Sequence, residues 1–263
     1  MLKLQNIYKT FHAGTINERR ALDDINLTLN DGDFVTVIGG NGAGKSTLQN
    51  VISGSTNPDY GKIEINGTDI TKLPEHKRAK YIGRVFQDPM LGTAADMWIE
   101  ENLALAYKRG EKRSAFKWML NNNNSKFFRD QLEKLGLGLE ERMKTKVVLL
   151  SGGQRQALTL LMSTLKKPDL LMLDEHTAAL DPKTASLVLG LTKEIVESSK
   201  ITTLMITHNM RDALAYGNRL IMMDQGRIIF DVSGDEKKKL TVEDLLKKFS
   251  TTKDAPSDAM ILG

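Results

Sequence analysis

The sequence predicts an α/β fold: a mostly parallel central sheet, an antiparallel N-terminal β-subdomain and an inserted helical subdomain. Three observations predict it. Residues 34–38, β-rich and apolar but for Thr36, and the apolar run 170–173 show the pattern of strands covered on both faces. Residues 21–30 place Ile25, Leu27 and Leu29 at a period of two, as in a strand with one buried face. From about Met97 to Lys166, apolar residues recur at helical spacing with no strand among them.

Taken in order, Leu2, Leu4 and Ile7 read as an edge strand, followed by the strand at 21–30 and a turn at Asp31-Gly32-Asp33. The apolar run 34–38 leads into a glycine-rich loop and a helix over Lys45–Ser53. A strand at 62–65, opened by Tyr60-Gly61 and closed by Asn66-Gly67, precedes another at 82–86. In the helical stretch, three amphipathic segments are expected: around Ile99 and Leu103, around Phe116, Met119 and Leu120, and at 127–135. The asparagine run 121–124 reads as a loop.

A helix at 154–166 then precedes the strand at 170–173. Helices at 182–198 and 210–216 alternate with strands at 202–206 and 220–223. Gly226 turns a hairpin into 228–230, and a Thr-x-x-Asp cap opens a helix at 241–249. The tail after Ser250 reads as poorly ordered. This gives one domain over 1–230, with its helical subdomain at about 97–166, and a short C-terminal helix and tail at 231–263.

Composition narrows the chemistry. The 263 residues are 40% hydrophobic and 27% charged, which excludes a disordered or collagen-like chain. There is no cysteine, so disulfides, thiolate zinc sites and cysteine nucleophiles are excluded. The net charge of +4 is mild. Basic clusters at 77–80, 108–113 and 237–239 read as solvated surface, and no nucleic-acid partner is expected. No apolar stretch approaches the roughly 20 residues of a membrane span, so work at a membrane would need another chain to hold this one there.

Gly39-Gly40-Asn41-Gly42-Ala43-Gly44-Lys45-Ser46, followed by Thr47, matches the phosphate-loop pattern of P-loop NTPases, and it sits between a strand and a helix as that pattern requires. Its glycines let backbone N–H groups wrap phosphate oxygens, and the helix start adds partial positive charge. Lys45 is expected to reach the β- and γ-phosphates and Ser46 to ligate Mg²⁺. The strand at 170–173 ends in Asp174-Glu175, where the first acid suits Mg²⁺ and the second suits a general base acting on water. Leu150-Ser151-Gly152-Gly153-Gln154 opens a helix and forms a second anion site.

These three motifs, in this order, resemble the nucleotide-binding subunits of ABC transporters, and the resemblance runs from Leu2 to about Phe230. It implies an ATPase with ATP and Mg²⁺ as cofactors. It also implies roles for single residues. Gln87 matches the Q-loop glutamine at the metal and the membrane partner, Asp181 the D-loop, His208 the γ-phosphate switch, and Phe11, which fits the register better than the competing Tyr8, the aromatic that stacks on adenine. Catalysis would fall to Glu175, His208 and Lys45, and Mg²⁺ to Ser46, Gln87 and Asp174.

The resemblance further implies a head-to-tail homodimer, with each ATP held by the phosphate loop of one copy and Ser151, Gly152, Gly153 and Gln154 of the other. Integral membrane permease subunits would hold it at the cytoplasmic face of the membrane. The segments 84–89 and 174–182 are similar to a bacterial importer subgroup with a separate permease and a substrate-binding lipoprotein, some of whose members are linked to aromatic amino acids. An exporter or lipoprotein-extraction ATPase and a soluble assembly-factor ATPase are the alternatives. His176 stands where the family commonly has proline, and it reads as a variant without a catalytic role.

Overall fold

The computed structural model describes residues 1–111 and 122–250. It divides into two compact units, Met1–Arg78 with the chain from Lys200 onward, and Ala79–Ser199. In chain order the first unit begins with β1 (Leu2–Phe11), β2 (Arg19–Leu29), β3 (Phe34–Gly39), α1 (Lys45–Ser53), β4 (Tyr60–Ile65), β5 (Thr68–Asp69) and α2 (Glu75–Arg78). The second holds β6 (Ile82–Val85), α3 (Ile99–Tyr107), α4 (Asn122–Glu133), α5 (Gly152–Thr164), β7 (Leu170–Asp174) and α6 (Pro182–Ser199). The first is completed by β8 (Thr203–Ile206), α7 (Met210–Ala215), β9 (Arg219–Asp224), β10 (Arg227–Ser233), α8 (Gly234–Lys238) and α9 (Val242–Ser250).

The first unit contains an antiparallel sheet in the order β2-β1-β4-β5. Strand β1 is therefore interior, paired to β2 on one side and β4 on the other, and the edge position expected for it is corrected. Its residues Leu2, Leu4 and Ile7 are buried. In the same unit β9, β3 and β8 run parallel in that order, and β10 closes onto β9 antiparallel. All six residues of β3 are buried, the one polar side chain, Thr36, donating its hydroxyl to Ala213 O at 2.9 Å. Helices α7 and α9 cover this layer through Met210, Ala213, Leu245 and Phe249, packed with Ile38, Leu220 and Met222. The expected hairpin turn is present, with Gln225 and Gly226 at φ 45° and 78°. The Thr-x-x-Asp cap also forms: Asp244 N–H donates to Thr241 Oγ1 at 3.2 Å, and Thr241 N–H donates to Asp244 Oδ2 at 3.0 Å.

In the second unit β6 and β7 pair in parallel. Its helical part is built on Ile99, Leu103, Phe128, Leu132, Leu158 and Leu161, which bury one face each of α3, α4 and α5. The asparagine run does not form the expected loop: Asn122, Asn123 and Asn124 open α4. Packing overrides the weak helix propensity of asparagine there. Phe127 and Phe128 lie 5.4 and 6.0 Å from the Tyr107 ring and tie α4 to α3. The segment expected around Phe116, Met119 and Leu120 and the tail after Ser250 lie outside the described residues. Short α8 was not expected from the sequence. It buries Lys237, whose ammonium donates to the carbonyls of Tyr216 and Gly217.

The phosphate-loop helix is secured from its far end. Arg78 is fully buried, and its guanidinium donates to Val51 O and Ile52 O in the last turn of α1, at 2.7 and 2.8 Å, and to Leu73 O and Thr71 O. It satisfies carbonyls that a helix end leaves without partners, and its charge complements the helix dipole. Arg78→Met is expected to lower unfolding free energy by about 3 kcal/mol, because two buried and two part-buried acceptors lose a charged donor. Urea denaturation measures this, and a loss below about 1 kcal/mol would mean water replaces the guanidinium without penalty.

Candidate functional site

In the first unit, β3 and β8 are parallel neighbours, with Val37 opposite Ile206. The chain leaves β3 into the phosphate loop and leaves β8 towards His208, so both emerge at the carboxyl ends of parallel strands. That is where open α/β sheets bind ligands. His208 is half-buried and directly precedes Asn209, whose side chain caps α7 by accepting from the N–H groups of Arg211 and Asp212.

The loop's shape depends on its glycines. Gly42 and Gly44 have φ of 84° and 101°, and a Cβ on Gly44 would come within 2.5 Å of Ala21 O. Gly44 precedes α1 with no side-chain cap, and a helix start presents N–H groups and partial positive charge that suit an anion. Lys45 is only 5% exposed, and its ammonium donates to Gly39 O at 2.7 Å and Gly40 O at 3.1 Å. Gly39, Gly40 and Ala43 are buried, Thr47 is half-buried, and Asn41, Gly42 and Ser46 are exposed.

Phe11 ends β1 and is partly exposed. The Lys9 ammonium lies 5.6 Å from its ring centroid and is itself paired with Asp59 at 2.7 Å. One residue not expected from the sequence joins this group. Arg19 is the cross-strand partner of Phe11, and its Nη2 donates to Gly42 O at 2.9 Å.

In the second unit the same strand-end logic holds. Val85 lies opposite Leu173, so Gln87 follows β6 and Asp174-Glu175 ends β7 at corresponding positions. Gln87 is exposed. Arg84, also unforeseen, places its guanidinium 3.5 Å from Asp174 Oδ2. Gln156 Nε2 donates to Phe86 O at 3.1 Å, tying α5 to the residue before Gln87.

Glu175 has φ 44°, a left-handed conformation that costs a non-glycine residue about 1–2 kcal/mol. Such conformations concentrate where a side chain must be aimed rather than merely accommodated.

Ser151 and Gln154 form a reciprocal capping box on α5: Ser151 Oγ accepts from Gln154 N–H at 3.3 Å, and Gln154 Oε1 accepts from Ser151 N–H at 3.2 Å. Ser151 and Gly152 remain exposed, while Gly153 is buried so close to Thr184 that a Cβ would meet its methyl at 2.0 Å. Asp181 caps α6 through Thr184 N–H at 3.1 Å, with Pro182 at the first helical position. The hydrogen bonds from Thr184 hold the Asp181 carboxyl below the usual carboxylate range.

His176 is not poised for charge. It is 2% exposed, and burial lowers its pKa from 6.5 to about 4. Its Nε2 lies 3.0 Å from Thr192 Oγ1 on α6, and that hydroxyl donates its single proton to Val188 O at 2.8 Å. The network therefore assigns the imidazole proton to Nε2, with Thr192 accepting. The folded state resists protonation that the unfolded chain accepts, so stability is complete above pH 6.5 and falls as pH drops towards 4. From pH 7.5 to 5.0 this group is expected to remove about 2 kcal/mol. Urea unfolding of wild type and His176→Phe at both pH values checks this. Equal pH dependence in the two proteins would show that the imidazole is already solvated.

The donors proposed for Mg²⁺ are all oxygens: the Ser46 hydroxyl, the Gln87 amide and the Asp174 carboxylate. That chemistry fits a hard cation that takes one carboxylate and completes its shell with phosphate and water.

Residues 22–178 match the family model described as ABC transporter. The chain is 46% identical over 249 residues to the tyrosine transport ATP-binding protein of Clostridioides difficile (strain R20291), covering 95% of this chain and 98% of that protein. It is 30% identical over 254 residues to the phosphonates import ATP-binding protein PhnC of Lactococcus lactis subsp. cremoris (strain SK11), covering 94% and 99%. Among solved structures it resembles a dimeric ATP-binding cassette in a post-hydrolysis state bound to ADP and Pi, with a TM-score of 0.75, 27% identity, and 89% and 98% of the two chains covered. A second cassette, in its ADP conformation, gives a TM-score of 0.77 at 30% identity, covering 93% and 95%.

Proposed function

Because the chain belongs to the ABC transporter family of ATP-binding subunits, we propose that it powers an importer of an amino acid, as a head-to-tail dimer docked on separate membrane permease subunits. Its fold is that of ABC ATPase cassettes, and its activity is ATP hydrolysis. The observation that carries the amino-acid reading is the 46% identity, across nearly both full lengths, to a tyrosine transport subunit. A methionine import subunit of Enterococcus faecalis, 34% identical, supports import of the same class of solute.

Among the described residues no helix is long and apolar enough to cross a membrane. We place the subunit at the cytoplasmic face, held by its permease, with a substrate-binding lipoprotein delivering the solute from outside. The dimer is supported by motif count. One phosphate loop and one Leu-Ser-Gly-Gly-Gln occur per chain, so two copies complete two ATP sites by symmetry. The similar cassette bound to ADP and Pi is also dimeric.

In the mechanism, the phosphate-loop N–H groups and Lys45 bind the β- and γ-phosphates, and Phe11 stacks on adenine. Ser46, Asp174 and Gln87 would hold Mg²⁺, which would offset phosphate charge. Glu175 orients the attacking water and takes its proton, while His208 and Lys45 stabilise charge on the γ-phosphoryl oxygens. Ser151 and Gly153 of the partner copy add donors to the same phosphate, so closure of the dimer depends on ATP. Loss of the γ-phosphate removes those contacts and opens it, and the segment around Gln87 passes the motion to the permease.

Uptake of radiolabelled tyrosine by cells lacking this chain tests the reading. Restoration by the wild-type subunit is expected. Unimpaired uptake of tyrosine and of other amino acids in the deletion strain would reject amino-acid import.

A further inference from the structure

We propose that Arg19 binds nucleotide, through a contact to its α-phosphate, in addition to the residues of the phosphate loop. The inference rests on the ATP-site reading above. Arg19 opens β2 and is the Cα partner of Phe11, the last residue of β1. Its Nη2 donates to Gly42 O at 2.9 Å, so one guanidinium touches the phosphate loop while its backbone pairs with the proposed adenine stack. A nucleotide anchored by its base at Phe11 and by its β- and γ-phosphates at the loop must run its ribose and α-phosphate past this side chain. The contact is close: a Cβ on Gly42 would sit 2.4 Å from the same Arg19 nitrogen.

The charge pattern nearby points the same way. The neighbouring cations are neutralised, since Arg20 and Arg227 both pair with Asp23 and Lys9 pairs with Asp59. Among the described residues no carboxylate pairs with Arg19. Its hydrogen bond to Gly42 O uses one of five guanidinium N–H donors, and the side chain is exposed. A cation fixed by a neutral carbonyl at the rim of a phosphate loop, with donors to spare, complements an incoming anion.

The α-phosphate stays on the leaving nucleotide throughout hydrolysis. A contact to it binds ground state and transition state alike and moves KM more than kcat. Calorimetric titration of the purified chain with Mg²⁺-ADP, beside steady-state ATPase kinetics, tests this with Arg19→Ala, Arg19→Gln and Arg19→Lys. Glutamine keeps an N–H donor for Gly42 O but no charge, whereas lysine keeps the charge. Expected results are an ADP affinity about ten-fold weaker in the alanine and glutamine variants, the size of one charge-assisted hydrogen bond, with most of it recovered in lysine. KM for ATP should rise in parallel while kcat falls less than about two-fold, and the salt dependence of ADP binding should flatten in both uncharged variants.

Wild-type affinity in Arg19→Ala, or full recovery in Arg19→Gln, overturns the proposal, the latter by showing that Arg19 only braces the loop. Failure of the wild type itself to bind ADP would instead overturn the ATP-site reading on which the proposal rests.

Discussion

Glu175→Gln is expected to slow steady-state ATP hydrolysis by about 10²- to 10⁴-fold, the range for loss of a general base, with ATP still bound. Glutamine matches glutamate in size and can orient water through its amide oxygen, but it cannot take up a proton. The expectation rests on position as well as residue type. Glu175 follows the last residue of β7 and is held at φ 44°, where its backbone is strained. Glutamine pays the same backbone penalty as glutamate, so the substitution separates proton transfer from local conformation. Phosphate release measures the rate, and size-exclusion chromatography in ATP measures the second consequence: a variant that binds but does not cleave should accumulate as a dimer. Wild-type turnover in Glu175→Gln would remove Glu175 as the base. His176 would not inherit the role, because burial lowers its pKa to about 4, making it a weak base, and its ring is shielded and hydrogen-bonded to Thr192 on α6.

What the sequence makes legible is local. The apolar runs that became β3 and β7 are read on both faces, and the caps at Thr241 and Ser151 follow from residues three apart. The phosphate loop is legible because its glycines and lysine must sit together on one short segment.

The features missed are those set by residues distant in sequence. The interior place of β1 depends on β4, more than fifty positions on, with Leu2 opposite Ile65. The Arg84–Asp174 ion pair joins β6 to β7, and His176 is hydrogen-bonded to Thr192 in a later helix. Arg19 had one available signal: a hairpin pairing it with Phe11 would bring it near the proposed base stack, but nothing in the spacing shows its reach to Gly42. The loop reading of 122–124 failed for a related reason, since asparagine favours turns until Phe128 and Leu132 find a core to enter.

Lys45→Met is expected to weaken ATP and ADP binding by about 10²- to 10³-fold with little change in the stability of the nucleotide-free protein. The two halves of this expectation come from one observation. The Lys45 ammonium is buried and turned onto Gly39 O and Gly40 O, beside the N-terminus of α1. There it is desolvated and lies near the positive end of a helix dipole, so its hydrogen bonds are opposed by unfavourable burial. Methionine has nearly the same length and no charge to bury, which is why folding should change by no more than about 1 kcal/mol. Phosphate oxygens reverse this balance, because they bring negative charge and hydrogen-bond acceptors to the buried ammonium. Two charge-assisted hydrogen bonds at about 1.5–2 kcal/mol each give the expected loss of affinity. Paired urea denaturation and calorimetric titration separate the effects. A destabilisation of several kcal/mol alongside weaker binding would recast Lys45 as a brace for its own loop, and phosphate affinity would then rest on the backbone N–H groups and the helix start alone.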